Sequence, residues 1–147
     1  MTLTRIIVFP SPSGTGICDF AMIAHGLDLD EVREKHFPGI TDFFYTTNDK
    51  LPEDIYYRNS WLFNPTKITI DIEKMKELAH IIRRRKRDEE FEPFDEIIAR
   101  QIPGAEAEGA ELKRLEIREK YIQIQTSIDN AASYSELPQE VKTLKAV

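Results

Sequence analysis

With one cysteine and six glycines in 147 residues, the sequence excludes several kinds of chemistry at the outset. Cys18 can neither close an internal disulfide nor build a thiolate metal cluster. Its solitude fits a reducing compartment, or a protein that does not use disulfides. Long apolar runs are missing too. The N-terminal run Ile6–Pro10 is five residues long, short of a signal-peptide core and far short of the ~20 residues of a membrane span. The start therefore reads as a mature cytosolic protein. Nor is there a surplus of positive charge: the net charge is −6 and the pI about 5.2. A surface that tracks phosphates needs Lys and Arg in excess on one face, so general affinity for DNA or RNA is not expected.

Catalytic and cofactor signatures are equally scarce. "SPSGTG" follows a strand-like run, but a P-loop needs Gly-Lys-Ser/Thr, and no lysine occurs before Lys35. Gly14 and Gly16 lack the third glycine of a dinucleotide fingerprint. His25, His36 and His80 are far apart, with no HExxH and no second ligand at helical spacing. Asp28 and Asp30 are explained by helix capping, and no serine lies in a nucleophile elbow. The sequence thus implies no catalytic residue, no cofactor and no metal.

Order along the chain is more informative. "TRIIVF" (Thr4 to Phe9) and "ICDFAMI" (Ile17 to Ile23) are strand-like and flank the turn-forming "PSPSGTG", which predicts a hairpin with a long tip. Asp28 followed by Glu31 predicts an N-cap and a short helix, with Leu29 and Val32 on one face and Pro38-Gly39 ending it. Asp42 to Thr47 reads as a strand. Ile55 to Phe63 is ambiguous between strand and helical turn, Pro65 breaks it, and Lys67 to Asp71 is a short strand or extended entry.

From Ile72 to Ile128 the periodicity becomes helical. Met75, Leu78, Ala79 and Ile82 form one apolar stripe. Pro93 falls inside the pattern, which predicts a break near Phe91–Glu92 and a new helix from Pro93 to about Gln101. A longer helix is expected over Ala107 to Ala131. Its stripe of Ile117, Tyr121, Ile124, Ile128 and Ala131 repeats at four and three residues. Ser133 and Glu136 suggest one further turn before Pro138. The reading is an α+β protein with a mixed, β-rich lobe (1–66), a helical arm of two or three helices (67–137) and a loose tail (138–147).

Two stretches carry candidate binding residues. The basic run Arg83 to Arg87, followed by acids from Asp88 to Glu96, wraps around a helix instead of lining one face. It is read as a solvated helix end with a charged hinge, the other readings being a nucleic-acid patch and a docking site for an acidic partner. The aromatic group Tyr56, Tyr57, Trp61 and Phe63, with Arg58 among them, is either a binding hot spot or core at the packing of the two lobes. In the helical arm, Ile117, Tyr121, Ile124 and Ile128 either meet a partner helix or a second copy, or are satisfied internally against Met75, Leu78, Ala79 and Ile82, in which case the N-terminal lobe is the docking face.

"KLPEDIYYRNSWLF" and "ITIDIEKMKELAHIIRRRKRDEEFEPFDE" resemble a set of small bacteriophage and prophage proteins. The matching residues are Leu51, Pro52, Asp54, Tyr57, Arg58 and Trp61, then Arg84, Arg87 and Asp88, then Phe94 and Asp95. The closing "IREKYIQIQTSIDNAASYSEL" is similar to that set's ending. Ser60 stands where alanine is usual, and the basic run is heavier. The neighbouring family is the phage tail assembly chaperones. The resemblance implies a non-enzymatic protein that binds a phage tail or tail-fibre protein, in the host cytoplasm during assembly, or a small component retained in the virion tail. It implies no catalytic residues.

Overall fold

A computed structural model of the chain describes residues 3–143. The fold is α+β and divides into two units, Met1–Asp71 and Ile72–Val147.

The first unit is built on β1 (Arg5–Pro10), which pairs antiparallel with β2 (Cys18–Ile23) on one side and β3 (Phe44–Thr47) on the other. The β1–β2 register runs from Arg5 opposite Ile23 to Pro10 opposite Cys18. The long tip is closed by the Ser11 N–H donating to the Ile17 carbonyl at 2.8 Å. Gly14 and Gly16 lie in the tip at φ 74° and 82°, a region that side chains disfavour.

As the central strand, β1 is buried on both faces, which explains its unbroken "IIVF". Ile6 and Val8 point to a cluster with Cys18 and Trp61, and Phe20, Phe44 and Phe63 pack around it. Ile7 and Phe9 point the other way, with Ile23, to Leu29, Val32 and Phe37. The second cluster is covered by α1 (Leu29–His36), whose N-cap Asp28 accepts from the Glu31 N–H at 2.9 Å. The first is covered by an antiparallel hairpin of β4 (Trp61–Asn64) and β5 (Lys67–Ile70). Its tight turn is fixed by Pro65 and by Asn64 Oδ1 accepting from the Thr66 N–H at 3.3 Å. The strand at Lys67 thus belongs to the first unit.

The second unit is an antiparallel helical hairpin of α2 (Ile72–Ala99) and α3 (Ala105–Asn130). Pro93 lies inside α2, so the expected break and restart are not found. The helix continues because both sides of the proline are held by α3. Before it, Glu90 accepts from Lys120 at 2.8 Å. After it, Asp95 lies 2.9 Å from the Arg114 guanidinium. The lost intrahelical bond is a local cost that this packing outweighs.

It follows that the basic run is neither a helix end nor a hinge; it lies mid-helix, and its side chains diverge as their spacing requires. Arg83 is buried, Lys86 reaches the Glu140 carbonyl, Arg85 pairs with Glu89, and Arg87 pairs with Asp88.

After α3 the chain turns back. A 3-10 turn at Tyr134–Glu136 forms where one was expected, but the Ser133 hydroxyl pairs with that of Ser135 and makes no capping bond to the backbone. Instead the Glu136 carboxylate accepts from the Ala132 N–H. A second turn, Gln139–Val141, lies within the segment expected as a loose tail, and Leu137 and Val141 are buried. The end of that segment, from 144 on, lies outside the described residues.

Candidate protein-binding surface

The segment "LPEDIYYRNSW" folds as the closing element of the first unit. Asp54, itself buried, accepts from the Tyr56 N–H at 3.3 Å and so starts a 3-10 helix over Ile55–Ser60. Tyr57 is turned inward at 2% exposure. Ser60 is fully buried and donates its hydroxyl to the Tyr57 carbonyl at 2.6 Å. Trp61 then enters β4 and fills the cluster of Ile6, Val8 and Cys18, with Phe20 at a ring-centre distance of 6.1 Å. Trp61 is therefore core, and that core belongs to the first unit itself. Of Tyr57, Arg58 and Trp61, only Arg58 is on the surface. It lies 3.4 Å from Asp19 and over the Phe20 ring. Burial pushes the Cys18 thiol above its usual range, as suits a small core side chain.

In the second unit the predicted stripe is also occupied. Ile117, Tyr121, Ile124 and Ile128 are all buried, as are Met75, Leu78, Ala79 and Ile82 on the facing helix. The stripe is satisfied internally, and an outside partner could reach it only by displacing α2. Two polar groups are set among these apolar ones. Buried Arg83 donates from Nε to His80 Nδ1 at 3.1 Å and from its terminal nitrogen to Gln125 at 2.9 Å. His80 Nε2 in turn meets Asp129 at 2.8 Å. This chain of contacts joins the two helices, and burial lowers the Arg83 pKa.

Towards the turn between the helices lies the second group, Glu90, Lys120 and Tyr121. Burial works against the Glu90 carboxylate, but hydrogen bonds from Lys120 and Tyr121 and the charges of Lys120 and Lys86 hold its pKa below the usual range. Burial, and then the Glu90 carboxylate, push the Tyr121 phenol well above its usual value.

Among the described residues, no set of three or more His, Cys, Asp or Glu side chains is placed to hold a metal, and no helix is long and apolar enough to cross a membrane. The hollow along α2 lined by Asp88, Glu92, Asp95 and Glu96 is open to solvent.

Among the exposed apolar side chains is a second stripe on α3, which was not singled out from the sequence. Leu112, Leu115 and Ile122 are exposed at 64%, 49% and 63%. With Glu108, Glu119 and Thr126 they occupy positions 108, 112, 115, 119, 122 and 126, the same four-and-three spacing as the buried stripe. Advancing ~100° per residue, this row lies on the opposite side of the helix from Ala110, Ile117, Tyr121, Ile124 and Ile128. The signal was present in the sequence as a second heptad phase, hidden by the stronger first one. No protein-family model, curated protein or solved structure matches the chain.

Proposed function

We propose that this protein works by binding another polypeptide, with no bond made or broken, and that its setting is bacteriophage tail or tail-fibre assembly. The single observation that carries the binding role is the row of exposed aliphatic side chains on α3, Leu112, Leu115 and Ile122, on a helix whose other face is already filled. Large aliphatic groups repeated in register on one outward face of a helix suit reception of a partner helix. The setting is drawn from the resemblance over Leu51–Trp61, Arg84–Asp95 and the closing "SYSEL" segment. Residues Asp54, Tyr57 and Trp61 have structural duties in the fold, so the resemblance concerns the scaffold, while the α3 surface is the place for recognition. The partner is a tail or tail-fibre protein, met in the host cytoplasm before it joins the particle.

Tagged protein recovered from infected cells, together with mass spectrometry of purified particles, tests this. The expected result is co-recovery of a tail or tail-fibre protein from cells and absence of the chain from particles. A fixed copy number in particles would make it a structural component of the virion. Recovery solely with replication or lysis proteins would overturn the assignment.

A further inference from the structure

We infer that the outer stripe of α3 receives a basic amphipathic helix of the partner protein, with aliphatic side chains on Leu112, Leu115 and Ile122 and Lys or Arg beside Glu108 and Glu119. This rests on the protein-binding reading above and names the chemistry of its partner.

Charge is what selects the occupant. None of the six stripe positions holds a Lys or Arg, while two hold glutamate. Beside it on the same side of α3 lie Glu111 and Glu116, with Arg118 as the basic neighbour of Leu115 and Ile122, so four glutamates stand against one arginine. Further round the helix, Lys113 pairs with Glu116, and Arg114 lies against Asp95 and Glu111. An approaching helix thus meets aliphatic groups framed by carboxylates, a combination that favours cationic flanks and discriminates against acidic ones.

The same arithmetic disfavours a second copy of this chain. Laid parallel and in register, the stripe would set Glu108 on Glu108 and Glu119 on Glu119. Laid antiparallel, every register that sets two or more different pairs of stripe positions opposite each other brings a glutamate against an aliphatic side chain or against another glutamate. For instance, Leu112 opposite Leu115 brings Glu108 opposite Glu119, and Leu112 opposite Ile122 brings Leu115 opposite Glu119. Within the chain's own basic run most side chains are already engaged, Arg84 being exposed. Arg83 is buried, Arg85 and Arg87 pair with Glu89 and Asp88, and Lys86 is bound to the Glu140 carbonyl.

The test uses the full chain and two synthetic 21-residue helices with leucine at the a and d heptad positions, one carrying lysine and the other glutamate elsewhere. Fluorescence anisotropy should show the lysine helix binding at least ~10-fold more tightly than the glutamate helix, with affinity falling as salt rises. The double variant Leu115→Ala/Ile122→Ala should weaken it by about tenfold or more, and Glu119→Lys alone should weaken it as well. The control Glu92→Gln/Glu96→Gln, on α2, should leave it within ~2-fold. All the altered side chains of the stripe are exposed, and circular dichroism melts confirm that each variant is folded.

Equal weakening by the α2 control would reduce the attraction to diffuse charge and overturn the inference. So would stripe variants that bind like the parent. A concentration-dependent dimer in sedimentation, dissolved by Leu115→Ala/Ile122→Ala, would overturn it too and assign the stripe to a second copy. A tail protein captured from cells whose binding ignores the stripe variants would refute this inference while leaving the proposed function standing.

Discussion

Replacing Trp61 with alanine probes the first unit most directly. The side chain is 2% exposed and packs against Ile6, Val8 and Cys18, with Phe20 beside it. An aromatic side chain of this size buries ~150–250 Å². At about 25 cal/mol per Å² its transfer is worth roughly 4–6 kcal/mol, and a compact unfolded state reduces that by some 10–40%. The methyl group of alanine recovers a little, and the cavity left behind adds a cost that depends on how far the β4–β5 hairpin can settle. The expected loss is about 3–5 kcal/mol, a large share of the roughly 5–15 kcal/mol typical of a folded protein.

With a urea slope of ~2 kcal/mol/M, the unfolding midpoint should fall by roughly 1.5–2.5 M. Hydrogen exchange adds a local readout: amides of β1, whose side chains line both clusters, should lose protection first. Trp61→Phe keeps part of the volume and should lose about half as much. A midpoint shift below ~0.5 M for Trp61→Ala, with β1 protection intact, would show that this side chain is not the anchor of the core.

Pro93→Ala restores a backbone N–H inside α2 and removes the ring clash, so stability should rise by about 1–3 kcal/mol, read as a higher urea midpoint. Arg83→Ala strands the Gln125 side chain and His80 Nδ1 at the helix–helix contact, with an expected loss of ~1–3 kcal/mol by the same assay. The near-isosteric Arg83→Met should lose less, because it keeps the packing of the aliphatic stem. For Glu90 the folded pKa lies below the unfolded one, so the unfolded chain binds more protons as the solution is acidified. Its contribution is present above the ordinary carboxyl range and is lost as pH falls through the depressed value. Urea midpoints measured across the acid range should therefore fall less steeply for Glu90→Gln than for the parent.

Legibility followed the strength of local signals. The β1–β2 hairpin, the Asp28 cap and the helical second half were readable because turn residues, a capping carboxylate and a repeating apolar stripe each act within a few positions. Ile55 to Phe63 was ambiguous for a physical reason: it is a 3-10 helix that passes directly into a strand at Trp61, so neither period applies throughout. Pro93 misled because helix continuity there depends on Glu90 and Asp95 meeting Lys120 and Arg114, residues 30 and 19 positions away. The same long-range contacts turn the basic run from a hinge into a mid-helix ring. Tyr57, Trp61 and the Ile117 stripe were legible as important apolar groups, but periodicity cannot distinguish a filled face from a vacant one. Only the position of α2 does that, and it transfers the candidate contact surface to Leu112, Leu115 and Ile122.

That transfer has an energetic side. Buried side chains in the second unit are concentrated at one end of the hairpin. On α2 none is buried beyond Arg83, and on α3 Ala110 is the only one before Ile117. Leu137 and Val141 add a further buried layer through the chain's return, with the Glu140 carbonyl against Lys86. Towards the turn, a two-helix ribbon remains, held by Glu90 with Lys120, Asp95 with Arg114, and the Arg114 guanidinium over Phe91. Few buried contacts and solvent-exposed ion pairs are the features of a segment that opens before the rest. Leu112 and Leu115 lie on this weaker part, and Ile122 lies just inside the better-packed part. A partner seated along the stripe would supply the third helix that the ribbon lacks, so binding and ordering of this end would be one event, with the ordering cost subtracted from the affinity. The stable end fixes the register of α3, and the weak end keeps its aliphatic side chains available.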